Sequence, residues 1–330
     1  MSLPAITNCP ATLAKGFDAY SPTALKRVFG GKKVSHILPY DWPGSLESTD
    51  DLFDNSRVQM SVSGVQEKFS LVLVQNRLRL AQEGEQGQYI LKPFPRAGKN
   101  PDQMPANEHV SMQIARQVFG IETAENALIF FENGATGYLT KRFDVKADGS
   151  KNAQEDFASL AGITPQTHGA NYKYQGSYLD LFTLMQKYVP AYRVEAPRLF
   201  KIILFNYLIC NGDAHYKNFS LVETTMGDFR LSPAYDLLNS RMHISDNDFA
   251  LDEGLLPKKY GQGNISQQFY RLGEMAGIPA TQIHKIFDLL TSKSEKVLEL
   301  IDDSYLSTRM KRSYQQAYLG RLKKFGRSLG

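Results

Sequence analysis

Cysteine is nearly absent: the chain has two in 330 residues, Cys9 and Cys210, about two hundred positions apart. That supply rules out a disulfide framework and a cysteine-ligated zinc site. Cys210 lies in an apolar run and reads as a small buried hydrophobe. Long hydrophobic runs are also missing, since none reaches the roughly 18 residues of a membrane span. The N-terminus lacks a charged-then-apolar leader. A reducing, cytoplasmic setting without a membrane partner is the expectation. Net charge is weak, +4, too little for a concentrated nucleic-acid face. Basic residues near the C-terminus (Arg309, Lys311, Arg312, Arg321, Lys323, Lys324 and Arg327) read as the solvated face of a terminal helix. Internal repeats and low-complexity segments are absent.

What is present suits a soluble globular protein: 42% hydrophobic and 22% charged residues, in a chain long enough for two lobes. Residues 1 to about 55 are turn-rich, with a helix over Pro22–Phe29 that Gly30-Gly31 ends. Strands are predicted at 69–74, 77–81 and 89–93, the last stopped by Pro93. Helical spacing of Val110, Ile114, Ala115 and Val118 marks a helix over 106–119. Leu128–Phe131 and Tyr138–Phe143 pair as a hairpin across Asn133-Gly134. Beyond residue 150 the pattern turns helical: 178–188, 196–209, 266–276, 279–290 and 295–300. The predicted class is α+β, with a small β-rich N-lobe and a larger helical C-lobe meeting near 144–152. The expected divisions are 1–56 as an extension of the N-lobe, 57–147 as the N-lobe and 148–330 as the C-lobe.

One segment carries the chemistry. After the apolar run Leu199–Ile209 comes Cys210-Asn211-Gly212-Asp213-Ala214-His215-Tyr216-Lys217-Asn218-Phe219-Ser220, with Asp213 five positions before Asn218. A phosphoryl-transfer loop has this spacing, its Asp taking the hydroxyl proton and its Asn holding magnesium. An Asx-rich turn satisfying its own backbone fits the same residues. Asp236, eighteen positions after Asn218, is a second hard oxygen donor, or else a helix N-cap. His215 either positions Asp213, screens the transferred phosphate, or packs the loop. Lys92 at a strand end and Glu108 in the following helix suit a phosphate-facing lysine and its partner, though a strand-end Lys and a first-turn Glu are also ordinary. Ser61-Val62-Ser63-Gly64 offers small residues and amides that cover phosphates, but with a single glycine it equally fits a simple turn.

Together these segments resemble the HipA family of bacterial serine/threonine kinases, the toxins of toxin–antitoxin pairs. The matching stretches are Ser61–Lys68, Tyr89–Pro93, Asn107-Glu108, Lys141–Asp144, Gln154–Phe157, Tyr172–Tyr174, Gly212–Ser220 and Ser232–Leu238. The resemblance implies a bilobal protein-kinase-like fold using ATP and Mg2+. By the same resemblance Asp213 is the base, Asn218 and Asp236 bind magnesium, and Lys92 meets ATP phosphates. Lys141 and Phe143 fall at the adenine hinge, and Asp144 near the ribose. Ser61 and Ser63 match the autophosphorylated loop, where an added phosphate competes with ATP for the same amides. About sixty residues precede that loop, fewer than in full-length HipA, as in the HipT branch. That branch implies two antitoxin partners, one resembling the missing N-subdomain and one binding DNA, so that this chain meets DNA only indirectly. It also implies an aminoacyl-tRNA synthetase substrate, tryptophanyl rather than glutamyl.

Two other classes share these residues. An aminoglycoside-type small-molecule phosphotransferase also uses an Asp–Asn loop and a later Asp, and a nucleotide-regulated scaffold needs only binding.

Overall fold

The computed structural model of the chain describes residues 3–42, 66–146 and 148–326. Helix α1 covers Pro22–Phe29, as predicted. The Ser21 side chain accepts from the Ala24 amide at its start, and Gly30 ends it in the left-handed conformation at φ 62°.

Six strands make the main sheet: β1 (Ile37–Leu38), β2 (Phe69–Val74), β3 (Arg77–Leu80), β4 (Tyr89–Pro93), β5 (Asn126–Phe131) and β6 (Thr136–Lys141). Their order is β1-β5-β6-β4-β2-β3, with β1 parallel to β5 and the other neighbours antiparallel. Gln75 and Asn76, both at positive φ, close the β2–β3 hairpin. The β5–β6 hairpin ends at Lys141, so Arg142 and Phe143 belong to the connector rather than to the strand.

Strand β5 is buried throughout. Its alternation sends Leu128 and Phe130 into one apolar cluster and Ala127, Ile129 and Phe131 into another. The smaller cluster joins this far face to α1, Trp42 and Phe69. The larger one takes in helix α2 (Met104–Gln113) and most of the helical region, so a single core runs across the connector. Helix α2 continues through a π-type turn, Ile114–Val118.

The later long helices are α3 (Tyr178–Tyr188), α4 (Tyr192–Leu208), α5 (Ile265–Met275), α6 (Ala280–Thr291), α7 (Ser294–Asp302) and α8 (Thr308–Gly326). Between them a small antiparallel sheet, β7 (Gln154–Asp156), β8 (Ser220–Glu223) and β9 (Phe229–Leu231), frames the Asp213 loop. The architecture is α+β, a sheet region followed by a helical one. One expectation fails in detail: Arg321 on α8 is not solvated. It is 4% exposed, pairs with Asp248 at 2.6 Å and lies 4.5 Å over the Tyr207 ring. Among the described residues no helix is long and apolar enough to cross a membrane.

Candidate active site

The loop after α4 is shaped by backbone constraints before any chemistry. Cys210 leaves the helix at φ 60°, a left-handed position where glycine is the usual residue. Ser240 then brackets the turn: its hydroxyl donates to the Cys210 carbonyl and accepts from the Gly212 amide. Asn211 donates to the Asn206 side chain at 2.8 Å and to the Asp236 carbonyl at 3.3 Å. Gly212 cannot carry a side chain here, because a Cβ would stand 2.0 Å from Asp246 Oδ1 and 2.4 Å from the Asn247 carbonyl.

Asp213 accepts a hydrogen bond from the Tyr174 hydroxyl at 2.8 Å. Burial raises its carboxyl above the ordinary range, with that hydrogen bond and the nearby Lys173 charge pulling the other way. The His215 ring meets Tyr174 edge-on at 5.2 Å. Burial, aided by the Lys173 charge, lowers its pKa to about 3, so the ring is neutral at pH 7.

Asn218 closes the loop. Its Oδ1 accepts from the His215 amide at 3.1 Å, and its Nδ2 donates to Asp236 Oδ2 at 3.1 Å. Asp236 is no helix N-cap; it follows β9 on an irregular segment, with φ 54°. A non-glycine residue so placed is held there by its surroundings. Its other oxygen receives the Lys92 ammonium, which also donates to Glu108 Oε1 at 2.7 Å. Lys92 comes from β4 and Glu108 from α2, and both are buried.

Two carboxylates thus share one ammonium. Burial alone would lower the pKa of Lys92, but the two negative charges hold it above its ordinary value. Asp236 is held well below the carboxylate range: burial opposes this, and Lys92 and Lys68 outweigh it. Glu108 goes the other way, raised by burial against the pull of Lys92.

The hinge candidates lie beside this cluster rather than within it. Phe143 packs on Tyr235, the neighbour of Asp236, with ring centroids 5.9 Å apart. Phe143 also lines a cavity of about 280 Å³, with Asn152, Val222 and Pro233. Lys141 ends β6 opposite Tyr89. The Asp144 carboxylate is engaged by Arg142 through Nε and a terminal nitrogen, so a ribose would compete for it. Ser61, Val62, Ser63 and Gly64 lie outside the described residues.

The structure therefore brings Lys92, Glu108, Asp236 and Asn218 into one hydrogen-bonded chain, with Asp213 and His215 on the adjoining loop. Sequence reasoning gave no role to Tyr174, Lys173, Asn107 or Asn239. Asn107 donates to the Asn239 carbonyl at 2.9 Å and accepts from its amide at 3.0 Å, tying α2 to the segment after Asp236. Lys173 and Tyr174 stood in a matching stretch, and Asn107 beside Glu108, without spacing that assigned them work.

Known proteins share this fold and sequence pattern. The Haemophilus influenzae protein named "Putative kinase" is 23% identical over 328 residues, spanning 90% of each chain. The HipA chain in the Shewanella oneidensis HipA, HipB and operator DNA complex superposes with a TM-score of 0.64 at 21% identity, covering 88% of this chain and 68% of that one. The Helicobacter pylori proinflammatory kinase CtkA gives 0.52 at 14% identity, covering 80% and 94%. The profile of the HipA-like C-terminal domain matches residues 60–298. The chain belongs to the HipA-like C-terminal domain family.

Proposed function

We propose that the chain is an ATP- and Mg2+-dependent protein serine/threonine kinase that acts as the toxin of a toxin–antitoxin system. One observation carries this: the unbroken contact chain Glu108–Lys92–Asp236–Asn218, which joins the sheet region to the loop bearing Asp213. Phosphoryl transfer asks a protein for little beyond such placement and charge.

Asp213, held by Tyr174, accepts the proton of the incoming hydroxyl. Asn218 and Asp236 would hold magnesium. They suit an ion that takes one or two protein oxygens and leaves its other positions to phosphates and water. The ion would replace their mutual hydrogen bond and supply positive charge beside the phosphates. Lys92 orients Asp236 and meets the phosphates; Phe143, with Lys141, borders the adenine and Asp144 the ribose. Residues 1–56, 57–147 and 148–330 serve as extension, nucleotide lobe and catalytic lobe.

The preferred target is an aminoacyl-tRNA synthetase, tryptophanyl rather than glutamyl, whose phosphorylation stops charging and translation. Autophosphorylation at Ser61 and Ser63 switches the kinase off. In the Shewanella complex HipA is found with HipB and operator DNA. By analogy this chain pairs with a DNA-binding antitoxin and a small protein resembling the missing N-subdomain, and reaches DNA through them.

Expression in bacteria with and without the neighbouring genes, followed by comparison of phosphopeptides, tests the reading. Growth arrest with phosphate on one synthetase and on Ser61 or Ser63 is expected. Label on an antibiotic or sugar, and none on protein, would overturn it in favour of a small-molecule phosphotransferase.

A further inference from the structure

Four lysines crowd the catalytic loop, and they are not equivalent. Lys92 is spent on Glu108 and Asp236. Lys217 pairs with Asp156 at 3.1 Å. Lys68 is only half-buried. Lys173 stands apart: it is 6% exposed, yet no described carboxylate is within ion-pairing distance of its ammonium. Its one described close contact is the face of Tyr174, 4.9 Å to the ring centre.

A buried charge without a counter-ion is costly. The surroundings act both ways: Asp213 attracts Lys173 most strongly, without an ion-pair contact, Lys217 and Lys68 push against it, and Asp236 attracts it least. The outcome is a buried ammonium without an ion-pair partner beside the base. Its position is fixed, because Lys173 shares the short turn Tyr172–Tyr174 with the tyrosine that braces Asp213.

We infer that Lys173 is a catalytic residue whose ammonium binds the terminal phosphate of ATP and stays on that phosphoryl group as it moves to the substrate hydroxyl. The inference rests on the phosphoryl-transfer reading above. In the step, the hydroxyl oxygen forms a bond to the γ-phosphorus and the bond from that phosphorus to the β,γ-bridging oxygen breaks. ADP leaves with the electron pair, and the hydroxyl proton passes to Asp213. The ground-state contact distinguishes ATP from ADP, because only ATP carries the phosphate that Lys173 meets. One short turn then supplies both the brace for the base and a cation for the terminal phosphate, while Lys92 orients Asp236 and meets the remaining phosphates.

The test uses the full chain with Mg2+ and compares wild type, Lys173→Met and Lys173→Arg. Calorimetric titration with ADP and with the β,γ-methylene analogue of ATP gives a ratio of affinities, and label transfer from ATP gives turnover. For Lys173→Met we expect ADP affinity within about twofold of wild type and analogue affinity about tenfold weaker. Turnover should fall about 10²-fold or more. Its melting temperature should equal or exceed that of wild type, since a buried charge without an ion-pair partner is gone. Lys173→Arg, which keeps the charge, should fold and retain part of the analogue preference. An unchanged affinity ratio and turnover in Lys173→Met overturns the assignment, as does a lowered melting temperature with the ratio intact. If Lys173→Met does not fold, an analogue preference reduced in folded Lys173→Arg supports the contact, and an unaltered preference and turnover there counts against it. Wild type that binds neither nucleotide sinks the kinase reading itself, a result distinct from all of these.

Discussion

Asn107 and Asn239 exchange two hydrogen bonds, Nδ2 to carbonyl at 2.9 Å and amide to Oδ1 at 3.0 Å, across 132 positions of sequence. Asn107 is fully buried, and its amide also meets His243 at 2.8 Å. Asn107 precedes Glu108, and Asn239 stands three residues beyond Asp236, so the pair fixes the spacing of the two carboxylates that share Lys92. Replacing Asn107 with Ala strands a buried amide and carbonyl. The expected cost is about 2–4 kcal/mol in urea unfolding, with transfer activity falling as well. A loss under about 0.5 kcal/mol would show the contact to be dispensable.

Lys92→Met tests the shared ammonium. It leaves the buried Glu108 and the half-buried Asp236 without a counter-charge, and the expected loss is about 3–5 kcal/mol at pH 7. Without the lysine both folded-state carboxyl pKa values rise above their unfolded values. The native variant then binds more protons than its unfolded chain, and its stability improves as pH falls toward 5. Chemical denaturation at pH 7 and pH 5 reads both the loss and its partial recovery.

Gly212→Ala places a methyl group against Asp246 and the Asn247 carbonyl. Overpacking of this kind costs about 1–3 kcal/mol. Because Asp213 is the next residue, turnover should fall further than stability alone explains. Thermal melting and label transfer, measured on the same preparation, separate the two effects.

His109 lies wholly buried on α2, its Nε2 3.2 Å from the Ala11 carbonyl. Burial lowers its pKa to about 4, against 6.5 for a free histidine. The unfolded chain therefore binds more protons than the native one between those values. Stability is fully present above pH 6.5 and drains as pH falls toward 4, by about 3 kcal/mol from this residue. His215 and His243 are also held down by burial and act in the same direction. Thermal melting from pH 7.5 to 4.5 measures the slope, and His109→Gln should flatten it.

Much of the crevice could be read in advance because its chemistry sets local spacing. Asp213 and Asn218 share one loop, Asp236 follows one hairpin later, and Lys92 stands on a strand whose turn residues mark its ends. Element boundaries followed the same local rules: Gly30 stops α1, and Gln75-Asn76 close β2–β3. What escaped lies in contacts between distant segments. The Asn107–Asn239 exchange and the grip of Tyr174 on Asp213 leave no periodicity in either partner's own stretch. Arg321 shows the same blindness in reverse: its basic neighbourhood suggested solvent, and only Asp248 and Tyr207, far away in sequence, explain its burial.

The central claim is that Asp213 is the base of a phosphoryl transfer, and label transfer from γ-labelled ATP to protein, compared between wild type and Asp213→Asn, tests it most directly. The account predicts that the variant keeps the melting temperature and ADP affinity of wild type while transfer falls about 10²- to 10⁴-fold. Transfer by folded Asp213→Asn at the wild-type rate would contradict it.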